Sequence, residues 1–295
     1  MRGFSNTAVH SRLPEWFKNS LPTDVSYRQT KSIIGGLKLH TVCESAHCPN
    51  QWECWSKRTA TFMIAGDRCT RACAFCAVNS AKPLPIDTNE PQKIAEAAQK
   101  MNLKHIVITS VARDDLQDGG AEHFRQTIQT VRKLNPGCSI EVLVPDFKGS
   151  QSSIATVLSA EPDIFNHNIE TVKRLTSIVR CKATYKRSLN VLFTAKKIAN
   201  KKIHTKSGLM VGLGETEEEV IETMKDLRNV DCDILTIGQY LQPGPKYFDV
   251  AEYIKPEQFE KYAEIGRNLG FLNVFSSPKV RSSYHAAEVV TKIAD

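Results

Sequence analysis

The chain has 295 residues, is 41% hydrophobic and carries a formal charge of +7. That length buries a sizeable core, as one large domain or as one domain with extensions. No apolar stretch is long enough to cross a membrane and the start lacks a secretory apolar region, so membrane-spanning and exported classes are set aside.

The first residues hold Arg2 and Arg12 with no acid before Glu15, a weak transit-peptide feature with a poor apolar moment. The expected location is therefore the cytoplasm, with the mitochondrial matrix as second choice. Residues 1–58 lack clear periodicity and read as an N-terminal extension laid over the main domain. From residue 59 onward, apolar strand-like runs alternate with helical periods. The expected strands are 60–65, 105–111, 139–144, 163–166, 208–211 and 233–237. Between them, Ile94, Ala97, Ala98 and Met101 share one helical face, as do Phe124, Ile128 and Val131, and later Val220, Met224 and Leu227. Thr216 and Glu219 form a capping-box start for that last helix. Pro256 and Gly270 bracket another helix, whose inner face carries Phe259, Tyr262 and Ala263. Such strand–helix repeats argue for a parallel α/β sheet, either open and doubly wound or a complete or partial barrel. Residues 59–250 are taken as the core domain and 251–295 as a C-terminal helix and extension.

The basic residues are spread out, with only short runs such as Lys196-Lys197 and Lys201-Lys202. No aromatic–basic interleaving suggests nucleic acid. A solvated surface is the first reading, and an acidic protein partner the second.

Six of the nine cysteines lie between residues 43 and 76. Cys69, Cys73 and Cys76 form C-x3-C-x2-C directly after the first strand; Cys43, Cys48 and Cys54 form C-x4-C-x5-C before it. In a reducing compartment, clustered thiols bind metal or do redox work more often than they form disulfides. A structural zinc site wants four closed ligands. Cys69, Cys73 and Cys76 offer three thiols in one compact loop, with no fourth cysteine or histidine following nearby. Three thiolates on an iron–sulfur cubane leave one iron open, as chemistry requires. A zinc knuckle completed by His47 or another distant ligand is the alternative. Strand ends of α/β barrels are also where active sites sit.

C-x3-C-x2-C at a first strand end, with the aromatic Phe75 before its last cysteine, resembles the radical S-adenosylmethionine superfamily. The resemblance implies a partial (β/α)6 TIM-like barrel over roughly residues 59–250. It also implies a 4Fe–4S cluster on Cys69, Cys73 and Cys76, with the methionyl group of S-adenosylmethionine on the open iron. One electron then cleaves the sulfonium, and the deoxyadenosyl radical removes a hydrogen atom from substrate. The earlier trio narrows the match: its order and spacing resemble the lipoyl synthase family. There it holds an auxiliary 4Fe–4S cluster whose fourth ligand is a serine of a C-terminal Arg-Ser-Ser-Tyr motif. This chain carries Arg281-Ser282-Ser283-Tyr284. The ligand maps to Ser283, with Ser282 as second choice. The oxygen ligand is expected to be the weak corner that lets the cluster open.

The implied reaction inserts two sulfur atoms, at C6 and C8 of a protein-bound octanoyl-lysine. These carbons have no acidified C–H bond, so a base is useless there and a radical is needed. The implied partners are octanoylated carrier domains (2-oxoacid dehydrogenase E2 subunits and the glycine cleavage H protein), a ferredoxin- or flavodoxin-type reductant and a cluster-repair carrier. Nucleic acid and membrane are not expected. In the cofactor pocket, Gly212 and Gly214 are expected to flank adenine, Glu170 to accept from the ribose and Arg187 to clamp the methionyl carboxylate. Arg113-Asp114-Asp115 with Gly119-Gly120 is a further candidate near the sulfonium. Trp52 and Trp55 are expected to pack around the auxiliary trio. His40 receives no role, and Cys138, Cys181 and Cys232 read as small buried residues. Biotin synthase-like and methylthiotransferase-like enzymes fit the first trio less well. A two-cluster electron carrier would not need this much scaffold.

Overall fold

In the computed structural model, residues 13–17, 25–199 and 203–283 are described. Arg2, Arg12, Lys201, Lys202 and Tyr284 lie outside the described residues. Among the described residues, eight strands form one sheet in sequential order. They are β1 (His40–Thr41), β2 (Thr61–Ile64), β3 (His105–Ser110), β4 (Ser139–Leu143), β5 (Ile164–Asn166), β6 (His204–Val211), β7 (Ile234–Gln239) and β8 (Asn273–Ser276). β1 pairs antiparallel with β2, and every later pair is parallel. β1 and β8 are the two edges, so the sheet is an open, partial barrel.

Ten α-helices accompany these strands among the described residues. Three belong to the N-terminal part: α1 (Val25–Gly36), α2 (Val42–Ser45) and α3 (Gln51–Ser56). The crossovers are α4 (Glu90–Lys100), α5 (Ala121–Leu134), α6 (Gln151–Leu158), α7 (Thr176–Val179), α8 (Tyr185–Ala199), α9 (Glu217–Asn229) and α10 (Pro256–Asn268). Each parallel step thus carries a helix, as a βα crossover demands. The faces expected from periodicity are the buried ones: Ile94, Ala97 and Ala98 on α4, Phe124, Ile128 and Val131 on α5, and Val220, Met224 and Leu227 on α9. The capping box at Thr216 and Glu219 forms as its spacing requires.

Three features depart from the sequence reading. The sixth strand starts at His204, four residues before the expected 208. Its polar Lys206 is fully buried because both Glu141 oxygens accept from Lys206 Nζ at 2.9 Å. β1 and β8 were not expected; the first has two residues, and the second is half-buried throughout. The N-terminal part does carry helices, and α1 buries Thr30 and Ile34.

Among the described residues, no helix is long and apolar enough to cross a membrane.

Candidate active site

One cavity of about 700 Å³ is lined by all six clustered cysteines and by Ser282 and Ser283. Its walls include Thr109–Ala112 at the carboxyl end of β3, Leu143–Asp146 at that of β4, and Asn168 and Glu170 after β5. It therefore sits at the carboxyl ends of the parallel strands, where α/β barrels hold their chemistry.

The loop bearing Cys69, Cys73 and Cys76 is tied down residue by residue. Cys69 N–H donates to the Asn79 carbonyl at 2.8 Å, and Ala74 N–H to that of Val179 at 2.9 Å. The Thr70 hydroxyl donates to the Ala112 carbonyl at 2.9 Å and accepts from Asp114 N–H at 3.0 Å. Arg71 is buried between two carboxylates. Its Nε and Nη2 form a fork on Asp114 at 2.8 and 2.7 Å, and Nη2 also reaches Asp146 at 2.7 Å. Phe75 packs against the core built by α9 and β7.

The other trio spans two short helices. Thr41 caps α2, which carries Cys43; Cys48 N–H donates to the Cys43 carbonyl at 3.0 Å, and α3 carries Cys54. Trp55 is fully buried, and Tyr27 stacks on Trp52 with ring centroids 4.3 Å apart. Asn50, between the helices, donates from Nδ2 to the Lys279 carbonyl at 2.6 Å, which brings the C-terminal strap to this trio.

That strap, residues 278–283, crosses the ends of β6 and β7. It approaches so closely that only glycine fits beneath it. A Cβ on Gly238 would lie 2.0 Å from the Val280 carbonyl oxygen, and one on Gly208 would lie 2.9 Å from Ser282 Oγ. The two serines diverge. Ser283 Oγ accepts from Thr61 Oγ1 at 2.7 Å, and Ser282 Oγ accepts from Asn168 Nδ2 at 2.6 Å.

The donor set suits iron–sulfur clusters. Burial pushes the thiols up, Cys43 to about 11 and Cys54 and Cys76 to about 12, so they carry protons until a cation displaces them. The Trp55 indole N–H lies against the Cys43 sulfur and favours its thiolate, and it has no nitrogen or oxygen partner. Among the described residues, no three Cys, His, Asp or Glu side chains converge on a single-ion position. A lone zinc would need its donors within about 2.3 Å of one point.

The cofactor-pocket candidates separate. Glu170 lines the cavity. Its backbone is held at φ +67° by an isolated bridge to Leu209, an uncommon conformation for a non-glycine residue. Burial pushes its carboxyl up, against the pull of Arg180 and the Asn168 amide. Arg187, Gly212 and Gly214 do not line this cavity. Arg187 Nη1 is spent on Asp146 at 3.1 Å and the Lys182 carbonyl at 2.9 Å. Gly212 N–H donates to Glu215 Oε1 at 2.5 Å, and its α-carbon packs against Gln239 and the Glu252 carbonyl. Asp114 and Asp115 are engaged by Arg71 and Arg113, and Arg113 also bonds the Ala65 carbonyl. Those groups serve the loops.

Unlike Arg187, and together with Arg71 and Arg281, Arg180 lines the cavity; no sequence signal marked it. Its Nη1 donates to Ser188 Oγ at 2.7 Å and to the Ile169 carbonyl at 3.2 Å. His167 completes this wall. Its Nδ1 lies 2.9 Å from the Val144 carbonyl, which fixes the proton there and leaves Nε2 to accept from Ser188. Burial and the nearby Arg180 charge lower its pKa to about 4, so the ring is neutral.

The model of the Radical SAM superfamily matches residues 63–227, and that of the N-terminal domain of lipoyl synthase matches residues 4–48. A lipoyl synthase of Caldanaerobacter subterraneus subsp. tengcongensis is 57% identical over 93% of this chain and 96% of its own length. One from Rubrobacter xylanophilus is 54% identical over 95% of this chain and 86% of its own. Among solved structures, methylornithine synthase (PylB) superposes with a TM-score of 0.56 at 13% identity, over 86% of this chain and 82% of that one. The FeFe-hydrogenase maturase HydG from Carboxydothermus hydrogenoformans does so at 0.58 and 13% identity, over 90% and 68%. At such identities the likeness is one of fold.

Proposed function

The chain belongs to the lipoyl synthase family of radical S-adenosylmethionine enzymes, and on that premise we propose that it inserts two sulfur atoms, at C6 and C8 of an octanoyl-lysine on a carrier domain. It is an enzyme of the radical sulfurtransferase type, using S-adenosylmethionine and a 4Fe–4S cluster in lipoate biosynthesis. The finer reading adds a second, auxiliary cluster on Cys43, Cys48, Cys54 and Ser283, a ferredoxin- or flavodoxin-type reductant and a cluster-repair carrier. The carrying observation is that both cysteine trios and both serines face one cavity. A single substrate chain can reach the radical site and the sulfur source without leaving it.

When bound, the first cluster supplies the electron that cleaves S-adenosylmethionine, and the second supplies sulfide. The protein's own groups do the positioning. We assign Glu170 to accept from ribose hydroxyls and Arg180 to hold the methionyl carboxylate; both act electrostatically on the Cys73 thiol. Charge-assisted bonds of this kind are the stronger ones. Met63, Val111, Leu209 and Tyr240 give the cavity an apolar lining suited to an alkyl chain, and they keep water from the reacting carbon. The formal charge of +7 suits an acidic carrier domain.

The test is an anaerobic reaction of the iron- and sulfide-reconstituted protein with S-adenosylmethionine, dithionite and an octanoyl-lysine peptide. Formation of 5′-deoxyadenosine and a peptide gaining two sulfurs is expected. Deoxyadenosine without sulfur in the peptide would move the substrate elsewhere. No deoxyadenosine from fully loaded protein would remove the radical reading.

A further inference from the structure

Between the two cysteine trios runs a line of side chains that neither trio requires. At one end, Glu170 lies in the field of Cys73 and Cys76. Asn168 Nδ2 donates to Glu170 Oε1 at 3.2 Å and to Ser282 Oγ at 2.6 Å. The next residue, Ser283, accepts from the Thr61 hydroxyl at 2.7 Å. Thr61 in turn gives its backbone N–H to the Cys43 thiol. From these contacts we infer that Asn168 is a positioning residue: it seats the serine-bearing strap through Ser282, and so couples the serine end of the auxiliary site to the S-adenosylmethionine end of the cavity. This rests on the function proposed above.

The orientation of the amide is fixed by its surroundings. A carboxylate oxygen can only accept, so the Asn168 face toward Glu170 must be its NH₂. That leaves Oδ1 on the other side, where it is buried without a hydrogen-bond partner. It rests against Gly208, where a Cβ would come within 2.6 Å of it. Gly208 therefore makes room for the Asn168–Ser282 contact, and it sits on β6 beside the Glu170 bridge, with Glu170 N–H donating to its carbonyl at 2.9 Å. A group that donates to Glu170 competes with Asn168 Nδ2 for that carboxylate, and so acts on the same amide that holds Ser282. Conversely, a seated strap holds Asn168, and through it the Glu170 carboxylate, in a fixed position. Coupling of this kind is reciprocal: what the strap does to S-adenosylmethionine affinity, the cofactor does to the strap.

The experiment measures the S-adenosylmethionine dissociation constant by equilibrium dialysis on the two-cluster protein, with iron content and the Mössbauer spectrum recorded for each variant. The variants are Asn168→Ala, Ser282→Ala, their double, Ser282→Thr and Gly208→Ala. Asn168→Ala and Ser282→Ala are each expected to weaken binding about fivefold, the share of one hydrogen bond. The double should be no worse than Asn168→Ala alone. Ser282→Thr, which keeps the hydroxyl, should restore affinity; Gly208→Ala, which wedges the pair apart, should mimic Ser282→Ala. Iron content should stay at two clusters throughout, with only the auxiliary signal altered in shape. Unchanged affinity in Ser282→Ala, or effects that multiply in the double, would overturn the coupling. Loss of auxiliary iron in Ser282→Ala alone would also overturn it, by making that serine a ligand. A wild-type protein that holds both clusters but no S-adenosylmethionine would remove the underlying reading together with the inference.

Discussion

Thr61 and Ser283, 222 residues apart, share a hydrogen bond of 2.7 Å in which the threonine donates. Thr61 opens the first parallel strand, whose carboxyl end leads to the radical-type loop. Ser283 ends the described C-terminal strap. One contact thus joins the strand that sets up one trio to the serine assigned to the other. Thr61→Val keeps the shape and removes the donor. Sulfur insertion should fall about fivefold while deoxyadenosine formation stays near wild type, because the contact lies on the auxiliary side. Thr61→Ser should recover the loss. Product quantification against deoxyadenosine is the check, and equal losses in both would show a general structural defect.

Arg71 should decide whether Cys69, Cys73 and Cys76 can hold iron. Removing it leaves Asp146, whose side chain is fully buried, with only Arg187 as a counter-ion. Breaking a buried pair from one side costs about 3–5 kcal/mol. That cost falls on the loop carrying Cys69, Cys73 and Cys76. Arg71→Met should therefore bind about half the wild-type iron, with the auxiliary cluster intact as an internal control. Iron analysis with electron paramagnetic resonance reads both at once. Loss of both clusters, or of neither, would contradict this role.

Arg180, which lines the cavity, and Arg187, which does not, separate by one comparison. Arg180→Gln should weaken S-adenosylmethionine binding roughly tenfold or more, the scale of a hydrogen bond to a charged group. Arg187→Gln, which touches Asp146 and not the cavity, should stay within about twofold. Equilibrium dialysis distinguishes them, and the reverse order would return the clamp to Arg187.

Much of this fold is written in local pattern, and the exceptions have physical causes. Apolar runs and helical faces located six of the seven parallel strands and the helices α4, α5, α9 and α10, because burial on both faces of a parallel sheet leaves a continuous apolar signal. β6 was read four residues late because Lys206 looks like a surface residue until Glu141 is placed opposite it. β8 is half-exposed, and β1 has two residues, so neither carries a period. The cysteine spacings located both trios because each trio is local. Asn50, Thr61, Asn168 and Ser282 were not legible as a set, since their contacts span 114 to 229 residues. Arg180 and Arg187 are equivalent in sequence; only the turn of chain after α7 sends one to the cavity and the other to Asp146.

The buried pair that hid β6 also gives a pH signature. Burial alone would raise the Glu141 carboxyl, but Lys206 and His105 outweigh it and hold it at about 2, below its ordinary value of 4.5. A lowered folded-state pKa stabilises above the unfolded value and is lost as pH falls toward the folded one. The contribution should thus be full above about pH 5 and decline between about pH 4.5 and 2. Glu141→Gln leaves the Lys206 charge buried and unpaired, so it should destabilise by about 3–5 kcal/mol at neutral pH. The gap from wild type should narrow in acid. Glu141→Leu with Lys206→Met should regain most of the loss. Denaturant unfolding across pH checks all three, and a gap independent of pH would contradict the pairing.

If both cysteine trios serve one substrate in one cavity, the sulfur of the product comes from the protein's own clusters. A single-turnover reaction shows this, with protein whose clusters were rebuilt with ³⁴S-sulfide mixed with unlabelled octanoyl-lysine peptide and S-adenosylmethionine. The expected product is a peptide carrying two ³⁴S atoms, with the auxiliary cluster's iron released from the same chains. A product carrying sulfur of natural isotopic composition, with the auxiliary iron retained, would contradict it.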